Sequence, residues 1–150
     1  MTEAYKRMRE GTGPELEDTS DRLEFATLEF GTIAEGATQY ECNITATLKD
    51  SAGETITGIH SVLVFLSETA TGAAITTAVP STTFATESTY GNVLASIVTR
   101  AVIIFRTNAS GVIQFSIVDS AKAANYVHAQ VMGSARTSVS RVLATADYKA

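Results

Sequence analysis

The residues of this 150-residue chain that most readily do chemistry are two histidines, His60 and His128, and one cysteine, Cys42. They are too few for a structural zinc site, which takes four Cys or His ligands. A Ser-His-acid triad often presents its serine in a Gly-x-Ser-x-Gly turn, and the chain contains no such sequence. We therefore predict no catalytic residue and interpret both histidines as partly exposed side chains within strands.

Cys42 falls on the apolar face of an alternating segment, which is typical of a small buried hydrophobe. A reactive thiol would instead need an accessible, electropositive setting. Because Cys42 is the only cysteine, no internal disulfide is possible, and we expect synthesis in a cytoplasm.

Four carboxylates in predicted loops are the candidates for a calcium site at the ends of the domain: Asp50, Glu54, Asp119 and Asp147. None has the spacing of an EF-hand loop, and charged loop tips are usually solvated. Gly11-Thr12-Gly13 lacks the spacing of a phosphate-binding loop. We predict no metal and no cofactor.

Alternation of polar and apolar residues predicts strands along most of the chain. In residues 40 to 48 one face is apolar throughout, with Tyr40, Cys42, Ile44, Ala46 and Leu48. Such a period of two indicates a strand with one buried and one wet face. Asp50 to Gly53 has the composition of a hairpin turn.

The next predicted strand, Gly58 to Leu66, is apolar on both faces from Val62 onward and should lie centrally in its sheet. Val93 to Phe105 is long enough for two strands or one bent strand. Further strands are predicted at Val112 to Val118, Tyr126 to Met132 and about Thr137 to Thr145, with a short edge strand at Ile75 to Val79. Ile113, Phe115, Ile117, Val127, Ala129 and Val131 should point inward.

Two connections differ from these strands. Ser120 to Asn125 is a link with room for one helical turn, and Thr107 to Gly111 is a turn. The segment 67–92 is rich in Ser, Thr and Ala and is interpreted as a long outer loop. Turn signals recur at the spacing of a β-sandwich, so we predict an all-β antiparallel sandwich of seven to nine strands over residues 24–150.

Residues 1–23 differ in composition from the rest of the chain. The first 24 residues carry 11 of the 27 charged side chains of the chain, and Gly11, Gly13 and Pro14 interrupt any long helix. A frayed terminus is the ordinary interpretation. We favour an extended arm that becomes ordered on a partner. Its predicted contact residues are Tyr5, Arg7, Met8, Arg9, Glu15, Glu17 and Asp18.

Charge and hydropathy exclude two classes of partner. The net charge of −5 argues against nucleic acid, which is bound by basic surfaces. No apolar run approaches the roughly 20 residues that span a bilayer, so no membrane association is expected.

The order of these elements resembles the immunoglobulin-like domains of tailed-bacteriophage virion proteins, namely head-decoration, fibre and tail-associated proteins. Three stretches carry the resemblance: the alternating strand through Leu48 to Gly53 and on to Ser67, the turn Thr107 to Gly111 with the strand after it, and Tyr126 to Ala129 with its closing strand. Antibody hallmarks are missing, because the chain has one Cys and no Trp.

The resemblance implies a non-enzymatic virion structural protein, a capsid-decoration protein held through its arm, with virion proteins and further copies of itself as partners. A second possibility is a tail- or fibre-associated module that binds carbohydrate or a receptor, with Tyr90 and Tyr126 as the stacking residues. An enzyme of unknown type is the third.

Overall fold

The structure is a computed structural model that describes residues 23–77, 80, 85–86, 90–136 and 139–150. Short helical turns lie at residues 23–24, at Tyr90 and at Thr145–Asp147, and the remaining regular structure of the described residues is β-strand. The strands are β1 (Thr27–Phe30), β2 (Ala34–Glu35), β3 (Glu41–Lys49), β4 (Ser61–Ser67), β5 (Ala85–Thr86), β6 (Asn92–Val98), β7 (Val102–Arg106), β8 (Val112–Val118), β9 (Asn125–Val131) and β10 (Val139–Leu143).

The strands form two antiparallel sheets that pack face to face. The first sheet has the order β1-β3-β8-β5, with β2 also paired to β3, and the second has the order β10-β9-β4-β7-β6. The predicted β-sandwich is therefore confirmed, but the described residues form ten strands where seven to nine were predicted, since β2 and β5 are two-residue strands too short to show an alternating pattern. Apolar side chains from both inner faces fill the space between the sheets, as expected for this architecture.

The period-two interpretation of residues 41–49 is confirmed, because β3 alternates between partly exposed and buried side chains along its length. Cys42, Ile44, Ala46 and Leu48 are all buried. The predicted inward residues of β8 and β9 are buried as well. Cross-strand register aligns them, for example Ile44 opposite Phe115.

Tyr40 is an exception to this pattern. Its φ of 62° lies in the left-handed region, so the strand begins one residue later, at Glu41. The Tyr40 amide donates to the Lys149 carbonyl, and its own carbonyl accepts from the Asp119 amide. These two bonds hold Tyr40 where three segments meet, and the prediction of an inward Tyr40 on β3 was wrong.

β4 lies between β9 and β7 in the middle of the second sheet, as its doubly apolar sequence predicted. The long apolar run 93–105 resolves into two strands, β6 and β7, which pair as a hairpin. β7 contacts the core through Ile103 and Phe105, whereas β6 lies at the edge of the sheet.

The start of the predicted outer loop folds back onto the molecule. The Thr76 amide donates to the Leu66 carbonyl, and the Ser67 hydroxyl donates to the Ala74 carbonyl at 2.6 Å. Glu68 accepts two hydrogen bonds from Thr77, one from its amide and one from its hydroxyl. Ile75 makes a single bridge to Ser67 instead of starting a strand, and Val79, the end of that predicted strand, lies outside the described residues.

The link between β8 and β9 is a turn built on Asp119, without a helical turn. The Asp119 carboxylate accepts from the amides of Ala121 and Ala123, at 3.1 Å and 3.0 Å. Lys122 has a φ of 48°, which a right-handed helix does not allow.

Candidate functional site

The predicted arm residues lie outside the described part of the chain, which starts at Leu23. The Ala135 amide and the Ser134 hydroxyl donate to the carbonyls of Glu24 and Ala26, respectively, both at 2.6 Å. Residues 23–26 are therefore held beside the β9–β10 connection.

Tyr90 and Tyr126 are not brought together. Tyr126 lies on β9 opposite Ser67, whereas Tyr90 precedes β6 at the end of the sheet that holds Ser61 and Arg106. Two strands separate β9 from β6, so the tyrosines are about 14 Å apart across the sheet, and the six-residue offset between Ser61 and Ser67 separates them by about 20 Å along it. Tyr90 is exposed and Tyr126 half-buried. One sugar ring cannot stack on both of them.

Cys42 is buried among core residues of the two sheets, as predicted. Burial raises the pKa of its thiol from 9.0 to about 12, and the charges of Asp147, Glu41 and Asp119 act in the same direction. A neutral thiol is a poor nucleophile and a poor metal ligand. Cys42 therefore behaves as a small apolar side chain.

The two histidines differ from the prediction. His60 lies before β4 rather than within it, is half-buried, and its Nε2 is 3.1 Å from the Thr57 carbonyl oxygen. His128 is on β9 but is fully buried, since the loop after β4 covers it. Its Nε2 is 3.0 Å from the Thr69 carbonyl oxygen. Both rings are hydrogen-bonded to backbone carbonyls, which indicates a structural role for the two histidines.

The four candidate calcium ligands separate into two pairs at opposite ends of the sandwich. Asp50 closes the hairpin after β3 by accepting from the Ala52 and Glu54 amides. Asp119 and Asp147 lie at the other end, where Asp147 accepts from the Ala144 amide. Over the described residues, no cluster of three His, Cys, Asp or Glu side chains is arranged to hold a metal ion.

The most unusual surface of the described residues is the edge strand β6. Six of its seven residues are exposed, and the chain from Tyr90 to Thr99 contains no charged side chain. Leu94 is 53% exposed and Ile97 60%. We define the β6 patch as the exposed apolar and aromatic side chains at this edge: Tyr90, Val93, Leu94, Ile97 and Val98.

Two bulges interrupt the pairing of β6 with β7. The register shifts between Val93 and Ala95, and again between Ser96 and Val98. The residues inserted at these shifts, Leu94 and Ile97, are the two most exposed side chains of the patch. A bulge leaves its extra residue outside the regular ladder. The bulges thus help to present the largest apolar side chains of the strand to the surroundings.

Sequence reasoning missed this surface. A continuous apolar run without charge is also the pattern of a strand buried on both faces, such as β4. Only the sheet order distinguishes the two cases. Natural edge strands are commonly protected from association by a charge, a proline or a bulge, and β6 has two bulges but neither a charge nor a proline.

Comparison with models of known protein families finds no match, and comparison with curated proteins finds none either. Among the described residues, no helix is long and apolar enough to cross a membrane.

Proposed function

We propose that the chain is a non-enzymatic structural protein of a tailed-bacteriophage particle. In this proposal an immunoglobulin-like domain decorates the capsid, and the arm of residues 1–23 attaches it to capsid or tail subunits. The protein is made in the host cytoplasm and then incorporated into the virion.

The strand order is the observation that carries the proposal. Seven strands, labelled A to G in chain order, form the sheets ABED and GFC in an immunoglobulin constant-type domain. If β1, β3, β4, β5, β8, β9 and β10 take these labels, the observed orders β1-β3-β8-β5 and β10-β9-β4 are ABED and GFC. The order supports the immunoglobulin-like assignment, and the β6–β7 hairpin is then an addition between strands D and E.

The position at which the arm joins the domain is compatible with a tether. Residues 23–26 are fixed beside the β9–β10 connection, at the lateral edge opposite β6. An extended arm of 22 residues has a reach of up to about 70 Å, enough to contact a neighbouring subunit. Its mixed charges supply ion pairs, and Tyr5 and Met8 supply apolar anchors.

Many weak attachments would stabilise such a particle. Each domain needs only modest affinity for its site, since contacts on a shell are repeated by symmetry and act together. This function requires a stable core and an exposed contact surface, and no reactive group.

The proposal is tested on particles of the phage that encodes the chain. Gold-labelled antibody against the domain should decorate these particles at regular positions in electron micrographs. A chain without residues 1–22 should unfold at nearly the same temperature as the full chain yet fail to co-sediment with particles that lack the protein. The double variant Lys49→Ala/Glu54→Ala, which removes charges outside the arm, is the control and should still co-sediment. Particles without label, or undiminished binding of the truncated chain, would overturn the proposal.

A further inference from the structure

We infer that the β6 patch is a two-fold interface through which two copies of this chain associate. The inference uses only the described residues and does not depend on the virion assignment. It goes beyond the arm contact, because it joins domain to domain at the opposite lateral edge of the sandwich.

The position of β6 separates it from the rest of the fold. The strand pairs with β7 alone among the described residues and contributes no side chain to the hydrophobic core. Its apolar residues therefore have no role in holding the two sheets together. Exposed apolar surface of this kind marks an interaction site more often than a random feature of a monomer.

Charge favours a second copy as the occupant. In a two-fold interface each residue near the axis faces its own counterpart, so a charged side chain there would meet a like charge. The chain carries a net charge of −5, yet the stretch Tyr90 to Thr99 is uncharged. The side chains of this stretch can meet their counterparts without placing like charges in contact, and Arg100 and Arg106 lie at its two ends.

The arm of a neighbouring copy is a poorer occupant. Residues 1–22 carry ten charged side chains, and desolvating charges against an apolar strand is unfavourable. The charge of the arm therefore makes it a poor occupant of this patch.

Side chains rather than a continuous ladder should hold the two copies. The bulges at Leu94 and Ile97 disturb the regular row of backbone groups that an added strand would need. The five side chains of the patch expose on the order of 400 Å² per copy, about half the face of a standard interface. We therefore expect a reversible dimer that forms at tens of micromolar.

Sedimentation equilibrium of the full chain tests the inference. Ile97→Lys should raise the dimer dissociation constant about 100-fold, because the substitution enters a symmetric interface twice. Val142→Lys is the matched control, since Val142 is a β-branched residue, 55% exposed, on the opposite edge strand. It should leave the constant within about twofold. A monomeric full chain, or an equal effect of both substitutions, would overturn the inference.

Disulfide trapping then identifies the contact. Because Cys42 is buried, a cysteine introduced by Leu94→Cys or Ile97→Cys is the accessible thiol of its chain. At least one of these two variants should form a covalent dimer under mild oxidation, while Val142→Cys should not. Tyr5→Ala with Met8→Ala should leave the dimer intact; loss of the dimer in that variant would instead make the arm the occupant. Aggregates that grow without limit would also count against a closed two-fold contact.

The two proposals fail separately. A dimer that persists while particle binding is absent overturns the virion function and keeps the interface. Particle binding by a chain that remains monomeric overturns the interface and keeps the virion function.

Discussion

The imidazole ring of His128 stacks face to face on the phenyl ring of Phe65, with centroids 4.8 Å apart and planes 7° from parallel. The two residues are direct cross-strand partners on β9 and β4. They point away from the core, yet His128 is fully buried because the loop after β4 lies over it. Gly72 comes so near that a Cβ atom there would lie 3.0 Å from His128 Cε1. The loop therefore forms a small second layer on the outer face of the second sheet.

His128→Ala should lower the free energy of unfolding by about 2–4 kcal/mol, because it removes a buried ring and a hydrogen bond to the Thr69 carbonyl. His60→Ala is the matched control: its ring also bonds a backbone carbonyl but is only half-buried, so the loss should stay below about 1 kcal/mol. Urea denaturation of both variants measures the difference. Similar losses of unfolding free energy in the two variants would show that burial of His128 under the loop after β4 contributes no stability.

Two glycines with left-handed backbone allow the cost of a steric clash to be measured separately from the cost of conformational strain. Gly111 has a φ of +73° and Gly53 a φ of +84°. A Cβ at Gly111 would overlap the Ile56 carbonyl oxygen, whereas Gly53 has open space around it. Gly53→Ala should cost about 1 kcal/mol, from strain alone, and Gly111→Ala at least about 3 kcal/mol. Thermal unfolding of the two variants tests this, and equal costs would contradict the contact.

Alkaline pH should destabilise the fold through Cys42. The unfolded thiol ionises near pH 9.0, but the folded thiol keeps its proton up to about pH 12. The unfolded state therefore releases a proton in this window, and the free energy of unfolding falls by up to about 1.4 kcal/mol per pH unit. Burial also raises the pKa of Tyr148, so the free energy of unfolding continues to fall above pH 10.0. Denaturation between pH 8 and pH 10 should show a shallower slope for Cys42→Ala than for the unaltered chain. Parallel slopes would place the thiol in contact with solvent.

Asn125 and Asn108 should respond in opposite ways to loss of their amides. Both polar side-chain atoms of Asn125 are buried and have no partner among the described residues. Its replacement by Leu, which has the same branching and the same number of side-chain heavy atoms, should be neutral or stabilising in a denaturant titration. Asn108 accepts from the amides of Ser110 and Val112, both at 3.0 Å. Asn108→Ala should cost about 1–2 kcal/mol. A large loss of unfolding free energy in Asn125→Leu would show that the Asn125 side-chain amide makes hydrogen bonds.

Local patterns in the sequence were sufficient to predict the sandwich. The alternation in β3 and the doubly apolar β4 each report directly on the faces of one strand, and both predictions are confirmed. Composition also predicts that the charged arm is separate from the domain, and this stays a prediction because residues 1–22 lie outside the described part of the chain.

The failures at His128, at β6 and at the two tyrosines share a physical origin, because each depends on contacts between residues distant in sequence. The burial of His128 depends on a loop 59 residues earlier in the chain. The outward position of β6 depends on sheet order, since its apolar pattern fits a core strand equally well. The two tyrosines likewise have no local signal for their separation.

The β6–β7 hairpin joins a strand whose side chains fill the core to a strand whose side chains do not. Mutations in the outer strand can therefore accumulate without loosening the sandwich, while its neighbour stays constrained by packing. Because of this division, selection can change the binding partner of the exposed strand without changing the stability of the fold. Related chains should therefore diverge faster in the sequence of β6 than in that of β7 while keeping the same backbone.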